Sequence, residues 1–472
     1  IQPLVKSIIS YHQFAGVKGR QSHEANFIAN EVLDSRKRSG KPGLILKLDI
    51  EKAFDSVNWN CLFNIVRSMG FNQKFHKWIK GIVSQSKLSV LVNGEATGFF
   101  SMERGLEQGL LSGFYFDEDR RRGEVSHILY ADDAVIFCDA TEHEVTNLLA
   151  VLLCFQSVTG LKVNLEKSKL FPVGEVPHLD RLADLLCCDW DFLPTIYLGL
   201  PLGASPTSGT IWNPLISRVQ SRLQGWKGRF LSIGGRLVLI KSVLASQPTY
   251  LCSLYRAPTH VVQTIEKLQC SFLWSGSQEQ NKFHLVSWDR CKQPKKWGGL
   301  GIPDFKRHNT ALLSKWWWKF ACGDSWWKDL MRIKYPNEDS QWMPGKPLSP
   351  VFTVHSLYQE LTQEEGRTRT TGVQGGDFPY KSVWLSHVPS KICLFVWLTY
   401  HRKILTQDAL KQRGWIMPNR CPLCCAHEED PSHFFITCSF TMIVWRSLVA
   451  LYTSMVLLPV GRLKTSSRAG QL

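Results

Sequence analysis

The chain has 472 residues, 44% of them hydrophobic, with 56 lysines and arginines against 40 aspartates and glutamates, a formal net charge of +16. That length suits roughly two to four domains with ample core, and the basic excess favours a polyanionic partner, although charge alone suits a membrane surface as well. Fourteen cysteines without a regular framework exclude a small disulfide-stapled secreted domain and read as reduced thiols, some of them metal ligands. The opening Ile-Gln-Pro-Leu-Val-Lys has neither an initiator Met nor a secretory pattern, as expected of a cut end.

Ala25, Ile28, Ala29, Val32 and Leu33 recur at helical spacing and predict a helix over 23–34. Leu46, Leu48 and Ile50 alternate with Lys47 and Asp49, the period of a half-buried strand that offers a carboxylate on its open face. A short strand is expected over 88–92, before the turn at Asn93-Gly94. In Ile-Leu-Tyr-Ala-Asp-Asp-Ala-Val-Ile-Phe (128–137), two apolar runs flank an acidic pair, as in a hairpin with Asp132 and Asp133 at its tip. An amphipathic helix follows over 142–156, closed near Gly160.

Residues 206–277 read as helical, with breaks at Gly225, Gly228 and Gly234-Gly235. Between Phe192 and Ile265 there is no Asp or Glu, while Arg218, Arg222, Lys227, Arg229, Arg236, Lys241 and Arg256 are present, a balance suited to a duplex backbone. The stretch 278–361 contains Trp316-Trp317-Trp318 and Trp326-Trp327; consecutive tryptophans point around a helix, so packing is expected before base stacking. Residues 362–377 have almost no apolar content and read as a linker. The apolar tail 447–460 is short for a bilayer span and is expected to be a packed helix or read-through sequence.

Two groups of residues carry chemistry. Carboxylates held as close as Asp49, Asp132 and Asp133 repel one another and stay ionised together only with cations between them. Two magnesium ions, hard and oxygen-seeking, are the expected guests, and they would clamp an in-line phosphoryl displacement, so these residues read as a nucleotide polymerase core. Farther on, Cys421-Pro-Leu-Cys424 is followed by His433 after eight residues and Cys438 after four more. That is a tetrahedral zinc set whose four closed ligands imply a structural role, with Cys425 and His427 as possible substitutes.

Tyr-Ala-Asp-Asp (130–133) together with Leu-Asp-Ile-Glu-Lys-Ala-Phe-Asp-Ser-Val-Asn-Trp (48–59) resembles the reverse transcriptases of plant LINE-type non-LTR retrotransposons. Further blocks resemble that family in its order: Val-Lys-Gly-Arg-Gln (17–21), Gly-Leu-Glu-Gln-Gly (105–109), Gly-Leu-Lys-Val-Asn-Leu-Glu-Lys-Ser-Lys (160–169) and Tyr-Leu-Gly-Leu-Pro-Leu (197–202). The segment from Phe378 to Trp445 is similar to the zinc-binding domain that follows these enzymes. The resemblance implies an α+β fold with right-hand polymerase-like fingers and palm over 1–205, a helical thumb-like region over 206–277, a Trp-rich connector and linker over 278–377, and a small helical zinc-binding domain over 378–460.

It further implies an RNA template, a DNA primer, deoxynucleoside triphosphates, two magnesium ions if the chain is active and a structural zinc, with no membrane; the compartment is left open beyond intracellular, and nuclear if the chain is functional. Asp49 and Asp132 would carry the magnesium, with Asp133 assisting. Phe54 would be the gate against a ribose 2′-OH, Gln108 and Gly109 would position template and nucleotide, Lys18 and Arg20 would face the triphosphate, and Lys167 would protonate pyrophosphate. The chain departs from the family pattern after Gly109, where Leu110-Leu111-Ser112-Gly113 replaces Asp-Pro-Leu-Ser-Pro and only twenty residues remain before Tyr130. Asp117 to Glu124 is too polar to furnish a buried helix face, and Glu107 stands where a basic residue is expected. A shortened palm, with neither an endonuclease nor a ribonuclease H domain read in the chain, is the expectation for a degenerate copy. The alternative is a non-enzymatic remnant, either nucleic-acid-binding or a zinc-stapled interaction module.

Overall fold

The computed structural model describes residues 8–51, 57–85, 111–205, 208–226, 230–275, 284–322, 325–335, 352–369, 378–384 and 388–456. The chain divides into two compact units, the first made of 1–214, 248–259 and 306–363 and the second of 215–247, 260–305 and 364–472. In chain order the principal elements up to residue 202 are α1 (Ser22–Ser39), β1 (Gly43–Leu48), β2 (Ile50–Glu51), α2 (Trp59–Ser68), α3 (Gln73–Gln85), β3 (Phe114–Asp117), β4 (Arg122–Val125), β5 (His127–Tyr130), β6 (Asp133–Asp139), α4 (Glu142–Thr159), β7 (Lys162–Val163), β8 (Lys169–Val173), α5 (Leu179–Leu186), β9 (Asp189–Trp190), β10 (Thr195–Tyr197) and β11 (Leu200–Leu202). The longer helices beyond are α6 (Asn213–Gly225), α7 (Ile233–Leu239), α8 (Thr259–Ser275), α9 (Phe305–Cys322), α10 (Trp326–Lys334), α11 (Val354–Arg369), α12 (Ser390–Tyr400) and α13 (Ser439–Val456).

Leu44, Ile45, Leu46 and Leu48 are buried on both faces of β1, which lies at the centre of a five-stranded sheet ordered β5-β6-β1-β8-β9. Only Lys47 within β1 reaches solvent, so the half-buried strand expected from its alternation is instead a central strand covered on both sides. Alternation still sorts its side chains. Ile45 joins Val135, Phe137 and Phe171 against Ile28, Val32 and Leu33 of α1, whereas Leu44, Leu46 and Leu48 join Ile136 and Leu170 against Val145, Leu148 and Leu152 of α4 and Leu182 of α5. Both predicted helices form and run longer than their apolar patterns. Thr141 caps α4 by accepting from the Glu144 N–H, and Gly160, at φ 75°, ends it in the left-handed region that glycine enters without strain.

The stretch that replaces a long helix in the family pattern folds as the hairpin β3–β4, with Phe114 opposite Val125. Phe114 and Phe116 enter the core, and each such burial stabilises by about 1.5–3 kcal/mol. Gly43 makes room for the first ring: a Cβ there would lie 2.5 Å from Phe114 Cζ. The polar run is not all solvated, because Glu118 is buried against Arg36, 3.2 Å away, and Arg36 also pairs with Asp139 at the far end of β6. Replacing Arg36 by Met would leave the buried Glu118 with only Lys41 Nζ at 3.2 Å and the Tyr115 N–H at 3.1 Å. The expected cost is about 1–3 kcal/mol of unfolding free energy, read as a fall in the urea midpoint.

Trp316 and Trp327 are buried with ring centroids 5.1 Å apart, and Trp316 Nε1 donates to Ser253 O at 2.7 Å, so these tryptophans pack helices, as expected. A second aromatic nest holds two imidazoles. His12 and His127 lie 4.3 Å apart by ring centroids, where the isolated bridge between Gln13 and Leu129 ties the N-terminal segment to β5. Burial, then the Arg20 charge, pushes His12 down to about 4; burial, then His12, pushes His127 down to about 3. Both folded values lie below the unfolded 6.5, so their stabilisation is present above pH 6.5 and drains as the pH falls toward 4. A loss of about 2 kcal/mol per imidazole is expected between pH 6.5 and 5. In urea titrations at those two pH values, His127→Phe should flatten that loss.

The second unit is helical. Trp397 is fully buried and its Nε1 donates to Gly298 O at 2.8 Å. Two charges of the acid-free stretch are drawn inward rather than presented to a partner: Arg236 donates to Leu231 O and Leu273 O, and Lys241 donates to Leu300 O. Arg218, Arg222 and Arg256 are exposed, while Lys227 and Arg229 lie outside the described residues. Helix α11 continues to Arg369, well into the stretch read as a linker. Among the described residues, no helix is long and apolar enough to cross a membrane.

Candidate active site and metal centre

The β1–β6 register ends at Leu48 opposite Ala134, so the next residues outward, Asp49 and Asp133, fall beside each other on the face that carries Lys47 and Val135. Tyr130 pairs with Asp133 across the turn Ala131-Asp132, and Ala131 holds φ 59°, a left-handed conformation uncommon for a residue with a Cβ. Asp132 is exposed in that turn, while Asp49 and Asp133 are half-buried. The Asp133 carboxyl is pushed up first by burial, then by Asp132 and by Asp49, while Lys47 pulls it down. Three carboxylates therefore share one patch at the sheet end. Lys47 Nζ donates to Ile196 O of β10 at 3.0 Å, which fixes a positive charge beside them.

The loop 164–168 holds Asp49 by its backbone. Its N–H donates to Ser168 Oγ at 3.1 Å, and its carbonyl accepts from the Asn164 N–H at 2.8 Å. Sequence reasoning gave neither residue a role, although both lie in the block 160–169, because it looked there for a charged group and found Lys167. Lys167 and Lys18 are both exposed. The Arg20 guanidinium donates to the carbonyls of Ile9, Ser10 and Gln13, which ties the N-terminal loop together. Phe54, Glu107, Gln108 and Gly109 lie outside the described residues, as do the strand expected over 88–92 and the turn at Asn93-Gly94.

In the second unit, Cys421, Cys424, His433 and Cys438 bring one ligand atom each to within 4.8 Å of one another. Cys425 starts no second set. Its N–H donates to Cys421 O at 2.9 Å, closing the knuckle, and its φ of 53° leaves its thiol exposed. His427 stacks edge-on to His433 at 5.4 Å and gives its carbonyl to the Cys421 N–H. The Cys424 thiol is pulled down to about 6, first by the Ala426 N–H and also by the His427 N–H and His433. His433 turns Nε2 toward Cys424 Sγ at 3.3 Å and Nδ1 toward Thr437 Oγ1 at 3.4 Å, an outer partner that orients the ring. Soft thiolates with one imidazole in a closed, largely buried set suit zinc.

Two regions of the chain match known families. Residues 1–202 match the family described as reverse transcriptase (RNA-dependent DNA polymerase), and residues 352–445 match that described as zinc-binding in reverse transcriptase. The chain is 38% identical over 136 residues to a ribonuclease H protein of Arabidopsis thaliana, covering 28% of this chain and 22% of that one. It is 25% identical over 401 residues to the 149 kDa protein of transposon TX1 of Xenopus laevis, covering 76% and 29% respectively. It is also 25% identical over 409 residues to a retrovirus-related Pol polyprotein from the type-1 retrotransposable element R2 of Popillia japonica, covering 77% and 64%. Residues 1–202 therefore carry a reverse transcriptase domain, the chain is similar to proteins of non-LTR retrotransposons, and the Arabidopsis relative accords with a plant origin. The chain spans less than two thirds of the length of each of these curated relatives.

Proposed function

We propose that the chain is an RNA-directed DNA polymerase by descent, extending a DNA primer on an RNA template by two-metal phosphoryl transfer. The observation that carries this reading is the convergence of Asp49, Asp132 and Asp133 at one end of the sheet. The donors fit magnesium: they are hard carboxylate oxygens, and Asp133 is held toward its neutral form first by burial and then by the Asp132 and Asp49 charges, which a divalent cation would offset. When bound, magnesium supplies Lewis acidity for the primer 3′ hydroxyl and charge shielding for the leaving pyrophosphate. Asp49 and Asp132 would hold the ions with Asp133 assisting. Phe54 would exclude the ribose 2′-OH, and Gln108 with Gly109 would align template and nucleotide. Lys18, with Arg20, would face the triphosphate and Lys167 would protonate pyrophosphate; both lysines are exposed, and no hydrogen bond or ion pair holds their side chains among the described residues.

In this reading residues 1–205 are fingers and palm, 206–277 a thumb-like region, 278–377 a connector, and 378–460 a domain stapled by zinc on Cys421, Cys424, His433 and Cys438. Primer extension on an RNA template by the purified chain tests it: activity that depends on magnesium and disappears in Asp132→Ala is expected. One observation favours the second reading, a nucleic-acid-binding remnant: residues 114–125 form a hairpin where the family pattern has a long helix. Binding without extension would select it.

A further inference from the structure

We propose that Ser168 is a positioning residue for Asp49, acting through its hydroxyl on the backbone of that aspartate; the inference rests on the reading of Asp49 as a metal-binding carboxylate. Asp49 sits where the sheet lets go of the strand. Pairing ends at Leu48 with Ala134 on one side and at Lys47 with Lys169 on the other, and β2 then pairs with β7 in a separate two-stranded sheet. Backbone N–H and C=O groups beyond the ladder need other partners. Ser168 Oγ accepts from the Asp49 N–H at 3.1 Å, and the Asn164 N–H donates to the Asp49 carbonyl at 2.8 Å.

That loop is itself locked. The Ser168 hydroxyl donates to Asn164 O at 2.7 Å, and the Ser168 N–H donates to the same carbonyl at 2.9 Å. Asn164 Oδ1 accepts from the Lys167 N–H at 3.1 Å, and Asn164 Nδ2 donates to Glu51 at 3.2 Å. Ser168 is 0% exposed, so solvent cannot replace it. A hydroxyl can accept from Asp49 and donate to Asn164 at the same time, and a methyl can do neither. With both peptide groups of Asp49 gripped, its carboxylate keeps its direction beside Asp133, and a tilt of the peptide would carry it away from the shared patch. Cation sites and reacting groups are sensitive to displacements on that scale.

The test uses the intact chain as wild type, Ser168→Ala, Ser168→Thr and Asp49→Asn. Two quantities are measured: amide exchange at Asp49 by mass spectrometry, with α4 as the control for global unfolding, and the affinity for Mn2+ alone by electron paramagnetic resonance. Ser168→Ala should speed Asp49 exchange about five- to tenfold with α4 unchanged and weaken Mn2+ binding about tenfold. Ser168→Thr, which keeps the hydroxyl, should restore most of both. Unchanged Asp49 exchange in Ser168→Ala overturns the clamp, and faster exchange with unchanged Mn2+ affinity overturns the positioning role. Wild-type Mn2+ binding that is indifferent to Asp49→Asn removes the metal reading and the positioning role with it. The exchange measurement, which needs no metal, separates that outcome from failure of the clamp.

Discussion

Chelation of the intact chain is expected to release one zinc ion and to strip amide protection from residues 421–438 while leaving the central sheet protected. The reason is how little else holds the segment. Cys421, His433 and Cys438 are buried, but the helix that follows leaves Phe440, Ile443, Trp445 and Leu448 each at least half exposed. Among the described residues, these exposed side chains add little packing to the knuckle once its ligands repel or protonate. Structural zinc in small fingers contributes about 10–16 kcal/mol at neutral pH, more than this local packing can offset. Cys421→Ser and His433→Ala should each lose the metal and the protection together. Cys425→Ser and His427→Ala should keep both, because neither side chain belongs to the convergent set. Metal analysis with hydrogen exchange reads all of these. A chain that purifies without zinc and keeps full protection over 421–438 in chelator would refute the staple.

The parts of the fold legible in the sequence were those written in local pattern. The apolar positions of α1 and α4 repeat at helical spacing, and the Tyr-Ala-Asp-Asp turn lies between two apolar runs that pair with each other. The Cys/His spacing singled out the same four residues whose ligand atoms converge. What stayed hidden depends on partners distant in sequence. Nothing near Glu118 indicates that Arg36, far back in the chain, will bury it. Arg236 and Lys241 read as surface charge because the carbonyls that receive them belong to other helices or loops. β1 read as half-buried because its polar residues gather at one end, where the sheet opens, while α1 and α4 cover the rest. Ser168 was passed over for a related reason: its chemistry is exerted on a backbone amide that local sequence does not reveal.

Asp132→Ala is expected to lower primer extension by a factor on the order of 10^3 or more while duplex affinity stays within about twofold of wild type. The two properties draw on different residues. On the proposed function, extension would draw on the three carboxylates held in one patch at the end of the sheet, beside the hairpin β3–β4. Binding needs only summed positive charge along a phosphate backbone, and the chain carries a net +16. Affinity should therefore fall steeply with salt, and replacing the exposed Arg218 or Arg222 by Gln should reduce the salt slope by about one unit for each phosphate left without its cation. Arg236→Gln should act through stability instead, since its guanidinium is bonded to Leu231 and Leu273 carbonyls. Extension is the first property expected to fail when the segment between Gly109 and Tyr130 is shortened, because backbone binding rests on summed charge. Magnesium-dependent extension that vanishes in Asp132→Ala would show that the hairpin still supports a working site. Salt-sensitive binding with no extension would identify a remnant that keeps the grip and has lost the chemistry. A chain that binds neither RNA nor DNA at low salt would leave only the zinc-stapled surface to act, as a module for protein partners.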